Sequence, residues 1–101
     1  MSNLSQILGN ERRTLMIIFL LRNGGKAYVG EIAEYICIQE KDTTSKHRKS
    51  VYISLIQTHI PKLRREGFIE LERDLVMIVH SKLFEDLLKF LESFNSSFMK
   101  R

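Results

Sequence analysis

Residues 45–67 (SKHRKSVYISLIQTHIPKLRREG) carry small hydrogen-bonding side chains at helical spacing, namely Ser50, Ser54, Gln57 and Thr58. Side chains of these types can exchange hydrogen bonds with base edges in the major groove of DNA. Nearby lysines and arginines can neutralise phosphates and set the register of a helix in that groove. The pattern therefore favours a helix that reads double-stranded DNA. The alternative interpretation is the solvated side of an ordinary amphipathic helix.

Cations surround this polar side. The candidates for phosphate contacts are Lys46, Arg48, Lys49, Lys62, Arg64, Arg65 and Arg73. Arg12 and Arg13, near the start of an earlier predicted helix, are weaker candidates. The chain has 16 Lys+Arg against 12 Asp+Glu, a net charge of +4. That balance is compatible with a polyanionic partner but does not require one.

Metal and catalytic chemistry are not indicated by the sequence. His47, His59 and His80 are dispersed, and the single cysteine, Cys37, lies among apolar residues like a buried hydrophobic side chain. Residues 24–25 (Gly-Gly) lack the Lys-Ser/Thr of a nucleotide-binding loop and mark a helix end. We therefore expect no enzymatic activity, cofactor, metal or small-molecule effector.

The helix predicted over residues 45–67 has an apolar seam at spacings of four, four and three: Tyr52, Ile56, Ile60 and Leu63. This period predicts the side that faces the core. His59 falls on the same side, so we expect it to be packed inside. Pro61, the one proline, removes a backbone hydrogen bond. We expect a kink, or a break into two helices, around residues 58–61.

The first half of the chain predicts two shorter helices and a strand. Asn10 is a suitable N-cap for a helix that ends near residue 23, and its apolar residues 15–21 cover nearly the whole circumference. We expect burial on all sides, partly by a second subunit. Residues 26–29 predict an edge strand. A second helix over residues 30–39 is expected to pack inward through Val29, Ile32, Ala33 and Ile36.

The second half predicts a hairpin and a last helix. Residues 68–72 alternate, with Ile69 and Leu71 on one side, and a two-residue turn leads to a strand over residues 75–80. A helix over residues 81–98 follows. Its heptad seam predicts a dimer interface formed by Phe84, Leu87, Leu91, Phe94 and Phe98. The alternative for this seam is an intramolecular cover for the core.

This order of elements predicts a mainly α fold with a small β-hairpin (α+β), a winged helix-turn-helix with an added C-terminal helix. Residues 1–80 form the predicted DNA-binding domain and residues 81–101 the dimerisation helix. The segments LGNERRTLMIIFLL, VGEIAEYI and VYISLIQTHIPKLRREGFIEL resemble archaeal winged-helix domains and, more distantly, ArsR-like bacterial repressors. YISLIQTHIPKL is similar to a segment of small haloarchaeal winged-helix proteins.

The resemblance covers about residues 4–79 and matches residues 56–63 to the core of the recognition helix. It implies that Ser54, Gln57 and Thr58 occupy groove-facing positions. The chain departs from the family pattern in two places. The segment before the matched core is longer than a usual turn, and Arg73 is the single cation in a hairpin that carries Glu66, Glu70, Glu72 and Asp74.

We therefore expect a cytoplasmic, homodimeric, sequence-specific DNA-binding transcriptional regulator without membrane association. A winged helix that binds a protein partner instead of DNA is the alternative, and the acidic hairpin is its best support. A nonspecific chromatin-like binder is a third possibility, for which a net charge of +4 is modest.

Overall fold

The computed structural model describes residues 9–79 together with Glu85, Asp86 and Lys89. The helical elements of this part are α1 (Glu11–Arg22), α2 (Val29–Glu40), α3 (Ser45–Ser54), a π turn (Leu55–His59) and α4 (Ile60–Arg65). The strands are β1 (Lys26–Tyr28), β2 (Ile69–Glu72) and β3 (Leu75–Ile78). The predicted dimer seam of Phe84, Leu87, Leu91, Phe94 and Phe98 lies outside the described residues.

Local capping signals determine where α1 and α3 begin. The Asn10 side chain accepts a hydrogen bond from the backbone N–H of Arg13 at 3.1 Å, as predicted. The Thr44 hydroxyl does the same for the N–H of His47 at 3.2 Å. Helix α1 ends where Gly24 adopts a φ of 77°, a backbone conformation that glycine reaches without steric cost.

Helix α1 is fully buried on one side and partly buried at its other apolar residues. Met16, Ile17 and Leu20 are fully covered, whereas a second set is half-buried: Leu15, Ile18, Phe19 and Leu21. Leu15, Phe19 and Leu21 of this second set pack against the core. The expectation that a second subunit completes the burial of α1 stays a prediction. Phe19 does reach the ring of Tyr35 on α2, with the ring centroids 4.9 Å apart.

The three strands form an antiparallel sheet in the order β1-β3-β2, and β1 is an edge strand as predicted. Val76 of β3 is paired with Ala27 on one side and Leu71 on the other, and it is fully buried. Along β2 the buried Ile69 alternates with the exposed Glu70, which confirms the predicted period of two. The hairpin closes through Arg73, whose φ is 59°.

Helix α2 supplies the part of the core that lies between α1 and α3. Val29, Ile32, Ala33 and Ile36 are all buried, as predicted, and Cys37 is buried beside them. Burial raises the pKa of the Cys37 thiol, which keeps it in the protonated, unreactive form. The cysteine is thus a small hydrophobic core residue.

Residues 45–65 form one continuous helical run with a π turn in the middle, and not two separate helices. The N–H of Ile60 donates to the carbonyl of Leu55, five residues back. Pro61 has no N–H, and its ring would press on the carbonyl of residue 57 in a regular α-helix. A wider turn just before the proline relieves this clash. The regular α-helix is thus interrupted at Leu55–His59, next to the predicted residues 58–61, and the interruption is a π turn and not a break into two helices.

The π turn changes which residues face the core. Val51 and Leu55 are fully buried, while Tyr52 and Ile56 are 39% and 40% exposed. The prediction that Tyr52 and Ile56 belong to the core seam is therefore wrong. The π turn contains one residue more than a regular helical turn. Counting back from the buried Ile60 at the regular spacing of four gives positions 56 and 52, whereas the buried residues are Leu55 and Val51, one position earlier.

The described part of the chain is thus an α+β fold: mostly helical, with a small three-stranded antiparallel sheet. Within this part, no helix combines the length and apolar character needed to cross a membrane.

Candidate nucleic-acid interface

The exposed side of α3 and of the π turn carries a group of the predicted DNA-binding side chains. Five of them are exposed: Lys46, Lys49, Ser50, Gln57 and Thr58. Their side chains make no hydrogen bond or ion pair with any other residue that the structure describes. These donors and acceptors are therefore available to a partner molecule.

Ser54 does not belong to this exposed set. Its side chain is half-buried, and its hydroxyl donates to the carbonyl of Val51 at 2.9 Å. The same hydroxyl accepts a hydrogen bond from Arg12 of α1 at 3.1 Å. Because Ser54 lies three residues after the buried Val51, it faces the seam between α1 and α3. We therefore remove Ser54 from the predicted base-reading residues.

A charged network beneath α3 connects all three long helices. Glu40, at the end of α2, accepts hydrogen bonds from Arg12 Nε at 2.6 Å and from Arg12 Nη2 at 2.9 Å. His47 of α3 contacts the same carboxylate through Nε2 at 2.7 Å. The three side chains are only 23–26% exposed. Hydrogen bonds to charged groups in such sites contribute about 1.5–3 kcal/mol each.

The titration of this network follows from its contacts. The hydrogen bond from Arg12 lowers the pKa of Glu40, and the bond from His47 lowers it further, although burial acts in the opposite direction. The hydrogen bond to Glu40 in turn raises the pKa of Arg12. Both groups are thus held in their charged forms. Arg12 serves this internal contact, so it is no longer a phosphate candidate.

The turn between α2 and α3 is fixed by Asp42. Its carboxylate accepts from the backbone N–H of Thr44 at 3.2 Å and from the Thr44 hydroxyl at 2.8 Å. These bonds lower the pKa of Asp42. His47 Nδ1 lies 3.7 Å from the same carboxylate. The turn and the network together set the orientation of α3 on the rest of the domain.

Arg48 faces α2 instead of the open side of α3. Its Nε atom lies 2.7 Å from a carboxylate oxygen of Glu34, and both side chains are 44% exposed. An ion pair this exposed contributes little to stability. To contact a phosphate, as predicted, Arg48 would have to break its ion pair with Glu34.

His59 is buried in the π turn, which confirms the predicted inward position. Its Nδ1 atom is 3.4 Å from Arg13 Nη1. Since arginine can only donate, Nδ1 must be the acceptor, and the ring proton of the neutral form lies on Nε2. Burial lowers the pKa of His59, and the charges of Arg13 and Arg12 lower it further. No group of side chains suited to a metal ion occurs among the described residues.

The remaining predicted cations lie at the other end of the long helix and in the hairpin. Arg64 and Arg65 are exposed and Lys62 is half-buried. Residues 46 and 64 are roughly 27 Å apart along a helix axis, at about 1.5 Å per residue. This distance exceeds the width of one major groove. The cations at the start of α3 and those at the end of α4 therefore cannot contact phosphates on the two edges of the groove at the same point. Arg73 is exposed at the tip of the hairpin.

An apolar feature of this surface is missing from the sequence-based prediction. Tyr52, Ile53 and Ile56 are 39%, 41% and 40% exposed, and they lie between the polar positions of the same side. The predicted seam assigned Tyr52 and Ile56 to the core. The sequence signal that could have revealed them is the pair Val51 and Leu55, which are also apolar and four residues apart and lie before Pro61.

The domain thus combines a small α+β fold with a cationic, partly apolar helix surface held by an internal charged network. Residues 5–78, more than half of the chain, match a family described as a domain of unknown function, DUF7344, and the chain belongs to this family. The match covers every element from α1 to β3. Comparison with curated proteins and with solved structures gives no significant match.

Proposed function

We propose that the protein is a sequence-specific transcriptional regulator that binds double-stranded DNA as a homodimer through a winged helix-turn-helix. Helix α3 and the π turn would enter the major groove. The order helix, strand, helix, helix, strand, strand and the sheet order β1-β3-β2 support the winged-helix assignment. The resemblance to archaeal winged-helix domains and ArsR-like repressors supports it independently. A regulator of this kind acts where the DNA is, in the cytoplasm of a prokaryotic cell.

The exposed side of α3 is the observation that carries the proposal. Lys46 and Lys49 are available for phosphates at the start of the helix, while Ser50, Gln57 and Thr58 are available for base edges. Glutamine can form two hydrogen bonds with one adenine, so Gln57 is the strongest candidate reader. Lys62, Arg64, Arg65 and Arg73 are secondary phosphate candidates because they lie farther along the helix or in the hairpin.

The internal network supports the same function because it holds the helix before any partner arrives. Arg12 and His47 converge on Glu40, so α3 is fixed to α1 and α2 in the free protein. A helix that is already positioned loses less conformational freedom on binding. The proposal therefore does not need an ordering step for α3.

Dimerisation is the part of the proposal that involves α1 and the C-terminal segment. The half-buried Leu15, Ile18, Phe19 and Leu21 on α1 leave apolar surface that a second copy would cover. The predicted seam from Phe84 to Phe98 would contribute further. A two-fold dimer would present two α3 helices about 34 Å apart to a nearly palindromic site. Light scattering should then give about twice the chain mass of 11.9 kDa.

Two substitutions test the proposed contacts separately. Gln57→Ala should reduce the preference for the selected site over random duplex by roughly tenfold, because a bidentate base contact is lost. Lys49→Ala should weaken binding to all DNA alike. It should also make the slope of log affinity against log salt concentration shallower by about one per site. Arg22→Ala, which removes an exposed cation from the end of α1, is the matched control and should change neither property. Unchanged binding in both test variants would contradict the assignment of this helix.

A second candidate function is a winged helix that binds a protein. It is favoured by the hairpin, where the exposed Glu70, Glu72 and Asp74 surround Arg73. Such a surface repels DNA phosphates and could attract a basic protein surface instead. This function predicts no affinity for random duplex at low salt, which separates it from the first.

A further inference from the structure

Tyr52, Ile53 and Ile56 form an apolar patch on the proposed DNA-binding side. Ile56 follows Ile53 by three residues and Tyr52 by four, so its side chain neighbours both on the helix surface. Each is about two-fifths exposed. A contiguous apolar patch of this kind on a small domain generally marks a contact surface.

The surroundings of this apolar patch restrict the partner. Lys49 precedes Ile53 by four residues and Gln57 follows it by four, so the patch is bordered by a cation and an amide, both exposed. A purely apolar partner would strip water from Lys49 and leave its charge unpaired, which is unfavourable. The partner must therefore offer negative charge, hydrogen-bonding groups and small apolar groups within one surface.

The major groove of DNA has this combination. Phosphates line its edges, base edges offer donors and acceptors, and the 5-methyl group of thymine is the apolar group in its floor. We propose that Ile53 and Ile56, with Tyr52 beside them, contact thymine 5-methyl groups and make thymine a required base at defined positions of the site. This inference rests on the proposed DNA-binding function.

The π turn is what places Ile56 in the patch. Without the extra residue, the side of the helix that faces the core would include position 56, as the regular period predicts. With the extra residue of the π turn, Leu55 takes the buried position and is fully covered. Ile56 and Gln57 then lie next to each other on the open side, one suited to a methyl group and the other to a base edge.

Uracil substitution tests the contact at the level of single methyl groups. The full chain is first used to select its preferred site from random duplex. Each thymine of that site is then replaced by uracil, which removes only the methyl group. At a contacted thymine the substitution should weaken binding about three- to fourfold, the value of one buried methyl group. Thymines elsewhere in the site should be insensitive.

Protein variants then assign the contact. In Ile53→Ala or Ile56→Ala, the difference between thymine and uracil should disappear at one position and persist at the others. Ile38→Ala is the matched control, because Ile38 is also an exposed isoleucine, 53% exposed, but lies on α2. This control should keep every thymine–uracil difference.

The possible failures are distinguishable. Selective binding that ignores all uracil substitutions would overturn the methyl contact and leave the proposed function standing. Absence of selective DNA binding would overturn both. If Ile53→Ala converts a dimer into a monomer and leaves uracil sensitivity intact, the patch is an interface between copies, and the inference is again overturned.

Discussion

Arg12 and Arg13 are adjacent in the sequence, yet each makes a different internal contact. Arg12 binds Glu40 and Ser54, whereas Arg13 lies against His59 in the π turn. Both contacts join residues 28 or more positions apart in the chain. The partner of a cation therefore depends on the packing of α1 against α2 and α3, and local sequence cannot identify it. For this reason, the sequence could not show that Arg12 has an internal partner that competes with a phosphate.

His59 should make the stability of the domain depend on pH. Its pKa is lower in the folded protein than in the unfolded chain, where a histidine titrates near 6.5. The unfolded state therefore takes up a proton first as the pH falls. The stabilising contribution is fully present above about pH 6.5 and is lost as the pH falls from there toward the lower pKa of the folded state. Urea unfolding at pH 7.5 and pH 5.5 should give a smaller free energy of unfolding at pH 5.5.

The variant His59→Gln isolates this effect. Glutamine does not titrate and can still accept a hydrogen bond from Arg13, so the variant should lose less free energy of unfolding over the same pH interval. All other residues are the same in both proteins, so the difference between the two pH dependences reports on position 59. Equal pH dependences for the two proteins would show that His59 is not the group responsible.

At the scale of elements, the π turn is the feature that sequence periodicity could not supply. The helix start at Asn10 and the two-residue hairpin turn after residue 72 follow from short-range signals, and they were predicted from the sequence. Pro61 also predicted where the long helix is interrupted. An interruption can take several forms, however, and only a π turn adds one residue and shifts the buried side from Tyr52 and Ile56 to Val51 and Leu55.

Two alanine substitutions distinguish the shifted register from a regular helix. Leu55→Ala should lower the free energy of unfolding by about 3 kcal/mol, because it leaves a cavity at a fully buried position. Ile56→Ala should lower it by less than about 1 kcal/mol, because that side chain is 40% exposed. Urea unfolding monitored by circular dichroism measures both. The reverse order of the two effects would contradict the register.

The sequence predicted correctly that part of the candidate site is exposed, as it predicted part of the secondary structure. The exposed positions of Ser50, Gln57 and Thr58 agree with the polar side inferred from the sequence. Ser54 was misplaced because its partner, Arg12, lies 42 residues away. Tyr52 and Ile56 were assigned to the core because apolar residues at helical spacing are normally buried, whereas the π turn shifts the buried side to Val51 and Leu55.

On the scale of the whole molecule, charge is distributed unevenly over the described surface. The start of α3 carries Lys46 and Lys49, and α4 ends with Arg64 and Arg65, whereas the hairpin carries Glu70, Glu72 and Asp74. The described cations on the long helix favour contact with phosphates, whereas the acidic residues of the hairpin oppose it. The contact would depend on the helix more than on the hairpin.

The salt dependence of binding to random duplex DNA tests the central claim most directly. Fluorescence anisotropy on the full chain, from about 50 to 300 mM salt, measures the electrostatic contact without knowledge of the preferred site. Two primary phosphate contacts per copy, through Lys46 and Lys49, predict a slope of log affinity against log salt concentration of roughly −2 per copy. Absence of binding at about 50 mM salt, or affinity that is independent of salt, would contradict a DNA-binding helix and favour the protein-binding function.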